Sequence, residues 1–173
     1  MRIITIILSL FYITAFAEED TEQKMAENEV KVLTTLAQQG NAGAQYKLGE
    51  IYRSGRSVRA TRPIVKGNIT TFIVEIVKKD SVQAAKWYLK SAQQGLCIAQ
   101  TRLAYCYLRG EGVKKDLVEA YAYFNLAGLT SREAVYKRID LESVLTPSQI
   151  EAGQKRSMEI SAMIEANKKT DKK

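Results

Sequence analysis

The 173-residue sequence contains no histidine. That one absence removes Ser-His-Asp and Cys-His catalysis and every histidine-ligated metal site. Cysteine is nearly absent too: Cys97 and Cys106 are the two present, nine residues apart and not in a C-x-x-C arrangement. On one helix that separation is about 13 Å along the axis. A disulfide needs Cα atoms within about 7 Å, so the two should not bridge within one chain and read as structural thiols. No motif couples a nucleophile to a base, and no pair of acids marks a catalytic cleft. The expectation is a chain that is not an enzyme and has no cofactor or metal.

Long blocks of one charge are also lacking. The formal net charge is +7 and the pI about 9.4, but Lys and Arg are mostly scattered among Asp and Glu. Only the end, Lys168 to Lys173, and the stretch around Arg53–Arg62 are locally basic. This reads as a solvated surface with a lysine-rich disordered tail at 168–173, not as a nucleic-acid interface. With 46% hydrophobic and 26% charged residues, the composition fits one globular domain with a real core.

What is present begins with "MRIITIILSLFYITAFA". One positive charge at Arg2, an apolar run and Ala15-Phe16-Ala17 make the pattern of a secretory signal peptide. Cleavage is expected after Ala17, with the product periplasmic or secreted and carrying no integral span. The apolar run is shorter than the roughly 20 residues a spanning helix needs. An uncleaved anchor is the alternative.

The rest repeats itself. "AQQGNAGAQYKLGEIYRSGRSV" (37–58) and "AQQGLCIAQTRLAYCYLRGEGV" (92–113) share ten positions at an offset of 55 residues. "KKDSVQAAKWYLKSA" (78–92) and "KKDLVEAYAYFNLAG" (114–128) align at an offset of 36. The difference is a 19-residue insertion, residues 59–77, in the first copy of a unit about 36 residues long. Periods of that size mark stacked helical repeats. Ala44, Leu48, Ile51 and Tyr52 fall on one helical face, as do Ala99, Leu103, Cys106 and Tyr107. The partner helix carries Ala84, Trp87 and Tyr88, then Ala120, Tyr123 and Phe124. Asp80 with Gln83, and Asp116 with Glu119, read as capping boxes rather than catalytic acids. A leading helix is predicted over Glu22–Gln39. Another should open at Thr130 with Glu133 and run to about Val144. A last one should start at Thr146-Pro147, where Pro suits the first helical position.

These segments resemble the Sel1-like repeat family, relatives of the tetratricopeptide repeats. The residues that carry the resemblance are "AGAQYKLGEIYRSG", "DSVQAAKWYLKSAQQG" and "IAQTRLAYCYLRGEGVKKDLVEAYAYFNLA". The resemblance implies an all-α, right-handed solenoid over residues 18–167. It also implies a non-catalytic role in binding another protein or a peptide, as a scaffold, periplasmic regulator or host-interaction factor. Some secreted members of the family with paired cysteines have been linked to peptidoglycan or β-lactams. Cell-wall binding or hydrolysis is therefore the alternative, although such cysteine pairs are missing here. The chain also departs from the pattern in having Ser57 where the second copy has Gly112.

Helical-repeat stacks use the inner face of the first helix in each pair. By spacing, that face presents Tyr46, Glu50 and Arg53, then Thr101, Tyr105 and Leu108. The insertion is the other suspect. Its run from Ile69 to Val77, including Phe72 and Val74, is rich in β-branched residues and follows a possible turn at Lys66-Gly67-Asn68. A hairpin or extended loop, an extension of the next helix, and disorder all remain open. An exposed strand edge could add a strand from a partner. With so few repeats, self-association is plausible.

Overall fold

The computed structural model describes residues 22–64 and 68–170. The predicted signal peptide and the Lys66-Gly67 part of the predicted turn lie outside the described residues. Seven helices and one hairpin follow in order: α1 (22–38), α2 (Ala42–Ser54), β1 (Arg56–Ile64), β2 (Asn68–Val77), α3 (Ser81–Ala92), α4 (Cys97–Arg109), α5 (Leu117–Ala127), α6 (Arg132–Glu142) and α7 (Pro147–Thr170). Helices α2 and α3 form one antiparallel pair and α4 and α5 the next. The pairs meet through α3 and α4, and α5 then supports both α6 and α7. This is the expected α-solenoid.

The helix starts follow from side-chain chemistry. Asp80 accepts from the Gln83 N–H at 3.0 Å, and Asp116 from the Val118 and Glu119 N–H groups at 2.9 and 3.0 Å. Each satisfies backbone donors that the helix itself leaves free. The reciprocal half of each predicted capping box is not made. The Asp80 N–H goes to the Tyr52 carbonyl at 2.7 Å, and that of Asp116 to Tyr107 at 3.0 Å, so these donors close the loop onto the preceding helix. At α7 the box is complete: Gln149 accepts from the Thr146 N–H at 2.9 Å, and the Gln149 N–H donates to the Thr146 hydroxyl at 3.3 Å. Helix α6 starts one residue later than predicted. Ser131, not Thr130, accepts from the Ala134 N–H, at 3.2 Å. The last helix also outruns its prediction. It continues to Thr170, into the segment expected to be a disordered tail. Lysine is a good helix former, and Lys168 pairs with Glu165 at 2.8 Å one turn back. Residues 171–173 lie outside the described residues.

Small residues let neighbouring helices come close. A Cβ placed on Gly49 would lie 2.4 Å from the Tyr88 ring, and one on Gly153 would lie 2.5 Å from Tyr121. Around these contacts Tyr88, Leu103, Tyr121 and Phe124 are fully buried. Each such apolar side chain contributes about 1.5–3 kcal/mol when removed from water. The repeated glutamines have a structural use. Gln45 and Gln100 are buried, and their amides donate to the Ala37 and Ala92 carbonyls at 3.0 and 3.4 Å. Each thereby gives an end carbonyl of the preceding helix a second donor, beside the Gly40 and Gly95 N–H groups at 3.2 and 2.9 Å. Gln94 also donates to Gln45 at 2.7 Å, tying the end of α3 to α2.

The insertion is an antiparallel hairpin, with Val58 opposite Val74 and Ala60 opposite Phe72. It begins at Arg56, three residues before the predicted insertion, with a register irregularity between Arg56 and Ser57. Neither a helix extension nor disorder describes the strands. Their ends are fastened as the uninterrupted loop is. Gly55 donates to Ile51 at 2.7 Å as Gly110 does to Cys106 at 2.8 Å, and the Asp80 and Asp116 closures are also equivalent. The hairpin pairs chiefly with itself, apart from a 2.7 Å ion pair from Arg56 to Glu29 on α1. Among the described residues no helix is long and apolar enough to cross a membrane.

Candidate interaction site

The first helices α2 and α4 carry the predicted face, and α6 continues their row. Its centre is Glu50. The carboxylate accepts from Arg53 at 3.0 and 3.3 Å and from the Tyr88 hydroxyl at 2.5 Å. The Arg102 Nε lies 3.1 Å away but off the hydrogen-bond direction, so that contact is an ion pair. Burial alone pushes the Glu50 carboxyl up. The hydrogen bonds from Arg53 and Tyr88 and the nearby Arg102 charge outweigh it and hold the group below the ordinary glutamate value. One carboxylate therefore serves two guanidiniums from neighbouring repeats.

In the second repeat the same positions are filled differently. Glu50 corresponds to Tyr105, and Tyr88 to Phe124. The hydrogen bond becomes an edge-on ring contact, with centroids 5.2 Å apart. The Tyr105 hydroxyl turns to Glu133 of α6 at 2.7 Å, and Arg109 lies over the ring at 5.2 Å. Burial and the Glu133 contact push the Tyr105 hydroxyl up to about 12. The polar hub between α2 and α4 thus has a counterpart between α4 and α6.

A half-open groove of about 380 Å³ lies between α4 and α6, walled by Ile98, Thr101 and Arg102 on one side and Thr130, Ser131 and Glu133 on the other. Ile98 is 47% exposed. The Cys97 thiol also borders it. It donates to the Ala127 carbonyl at 3.2 Å and accepts from Thr130 at 2.8 Å. Cys106 is buried, and that burial raises its thiol to about 11, as suits a structural thiol.

The predicted residues therefore divide. Arg53 is exposed, while Tyr46 and Tyr105 are half-buried with rings packed on Tyr88 and Phe124. Thr101 is buried on the groove wall, its hydroxyl donating to the Cys97 carbonyl at 3.1 Å. Leu108 packs against the core. On the hairpin Val74 is half-buried beside Ile73, which is 71% exposed. The side chains of Ile69 and Phe72 lie outside the described part. The spacing argument missed Ile98, Arg102 and Glu133. Arg102 had a signal, because Lys47 holds the same position in the first repeat. Among the described residues no cluster of three or more Cys, Asp or Glu could hold a metal ion.

Paired helices stacked one pair on the next, with a grooved face along the first helices, define a helical-repeat solenoid. Comparison with known proteins specifies which kind. The family model "Sel1 repeat" matches residues 42–60, 75–96 and 97–129. The chain is a Sel1-like repeat protein, of a family whose members generally mediate protein–protein interaction. A solved protective antigen of uropathogenic Escherichia coli strains, which displays an SLR fold, is similar at 27% identity and a TM-score of 0.64. The match covers 83% of this chain but 28% of that one, so this chain spans under a third of the antigen's length. A Sel1 repeat protein from Oxalobacter formigenes is similar at 27% identity and a TM-score of 0.50, over 64% of this chain and 70% of that one. No curated protein matches the sequence.

Proposed function

We propose that the chain is an exported, non-catalytic module that binds another protein or a peptide along α2, α4 and α6. The groove between α4 and α6 carries this reading. It combines an exposed apolar side chain, Ile98, with a guanidinium, Arg102, that shares its carboxylate with Arg53. A peptide suits it, with an apolar side chain against Ile98 and an acidic group near the two arginines. Arginine and tyrosine are favoured where binding energy concentrates. The hairpin is a second contact, because both strands of a two-stranded sheet have an unpaired edge. Export rests on the signal-peptide pattern of residues 1–17 and is in keeping with the uropathogenic relative being a protective antigen.

Crosslinking in the native cells, followed by mass spectrometry, tests this. The expected result is a specific partner captured by the wild type and lost with Ile98→Asp or Arg102→Ala. A partner lost only when residues 56–77 are removed moves the site to the hairpin. Capture unchanged in all three variants refutes both sites. Release of the mature chain into the cell's soluble cytoplasmic fraction refutes export.

A further inference from the structure

The repeats show what each helix face ordinarily touches, and so which faces lack their usual neighbour. On the second helices, one set of positions meets the first helix of the same repeat. Ser91 of α3 donates to the Ala42 carbonyl of α2 at 2.7 Å, and Tyr123 of α5 stacks on Tyr107 of α4 at 5.9 Å. Ala84, Trp87 and Ser91 correspond to Ala120, Tyr123 and Ala127. Trp87 is half-buried and the other five are buried. The A-Q-Q-G segments at 37–40 and 92–95 align α1 with α3. That puts Glu29, Val32 and Leu36 at the same positions. All three are exposed, Val32 by 57% and Leu36 by 39%, and Met25 extends the stripe two turns back at 70%. Among the described residues α1 is thus a second helix without its first.

At the other end α6 is a first helix. Its cap Ser131 and buried Ala134 correspond to Leu96 and Ala99 in α4 and to Asn41 and Ala44 in α2. Ile139 then corresponds to Gly49, which touches Tyr88 of its paired helix, and to the buried Ala104. Yet Ile139 is 49% exposed. Tyr136 corresponds to Tyr46 and Thr101, which face the next repeat, and it is 61% exposed. Helix α7 does not supply the missing neighbour. It lies on α5, with Gly153 against Tyr121 and Asn125 bonded to Ser157 at 2.9 Å, and α6 is not among its principal contacts.

We infer that these two faces are partners: α6 of one copy packs on α1 of the next, completing a repeat between two chains. The occupant is a second copy because, among the described residues, each face differs from its internal counterparts in lacking one helix, and each end of the repeat stack offers the helix type that the other lacks. The contact is head-to-tail. It therefore grows as an open stack or closes as a ring, rather than stopping at a twofold dimer. It concerns the ends of the stack and stands whether or not the groove binds a peptide.

Sedimentation velocity across the micromolar range tests it, on the full chain and in parallel on the form beginning at Glu18. Mass is expected to rise beyond a dimer with concentration in both forms. Val32→Glu with Leu36→Glu should leave a monomer, and so should Tyr136→Glu with Ile139→Glu. Mixed, the two variants should form a one-to-one dimer that grows no further, because each keeps the face the other lost. That recovery also shows that both variants are folded. A monomer at all concentrations, a wild type that stops at a dimer, or a mixture that stays monomeric overturns the inference. So does association confined to the full chain, which assigns the α1 stripe to residues before Glu18.

Discussion

Gly110 and Gly112 offer a paired test of how the repeats are joined. Both have left-handed backbones, with φ of 73° and 76°. Their surroundings differ. A Cβ on Gly110 would come no closer than 3.3 Å to Lys115, whereas one on Gly112 would sit 1.9 Å from the Ser81 carbonyl oxygen. The α4–α5 loop therefore rests directly on the start of α3. Replacing either glycine by alanine costs about 1–2 kcal/mol of backbone strain. For Gly112→Ala the loop must also lift off the α3 backbone, which adds about 1–3 kcal/mol typical of overpacking. With a urea dependence of about 2 kcal/mol per molar, Gly110→Ala should lower the midpoint by about 0.5–1 M. On the same slope Gly112→Ala should lower it by about 1–2.5 M. Urea titration followed by far-ultraviolet circular dichroism reads both. Equal midpoints for the two variants would show that the contact with Ser81 does not limit stability, and the reasoning would fail.

Three other perturbations follow from the fold. Replacing residues 56–79 by Glu-Gly-Val-Lys-Lys, the loop sequence of the second repeat, should leave the helical signal intact and lower Tm by only a few degrees, because about 0.2–1 kcal/mol of exposed ion pair is lost; non-cooperative melting would count against a grafted hairpin. Gln45→Leu removes one of two donors to the Ala37 carbonyl, which keeps the Gly40 N–H at 3.2 Å, and should therefore cost about 0.5–1.5 kcal/mol in urea unfolding; no loss would show that the Gln45 bond contributes nothing. Glu50 has a folded pKa below its ordinary value of 4.5, so its contribution is present above that value and disappears as pH falls through the folded pKa. Because both arginine partners are exposed to solvent, by 46% and 39%, Glu50→Gln should cost only about 0.5–1 kcal/mol at neutral pH, with the gap to wild type closing in more acidic solution. A gap independent of pH would refute the role assigned to the Arg53–Glu50–Arg102 cluster.

The features legible in the sequence are those whose chemistry is local or repeated. Asp80 and Asp116 cap helices through their own side chains a few residues on, and the A-Q-Q-G segments recur intact, so the helix order and the place of the insertion could be read. Thr130 and Ser131 are both good caps standing side by side, and local chemistry does not choose between them. The reciprocal half of the Asp80 box failed because its N–H finds Tyr52, a residue on the far side of the whole hairpin. The candidate site was only partly legible for the same reason. Glu50 was expected on the inner face for its spacing. What it does depends on Tyr88, Arg53 and Arg102, which three different helices bring together. Leu108 fits the helical spacing of a surface position, yet packs against the core once α4 is seated.

The closure of the hairpin has a practical consequence. Gly55 and Asp80 are tied to α2 by bonds that take no account of what lies between them, and Gly110 and Asp116 make the same ties on α4. Chain length between those anchors is a free variable in both repeats. The protein thus has two equivalent ports, one carrying cargo and one empty. An epitope or reporter domain could be plugged into the empty one, between Glu111 and Lys115, provided that Gly112 or a residue able to take its place against α3 is kept.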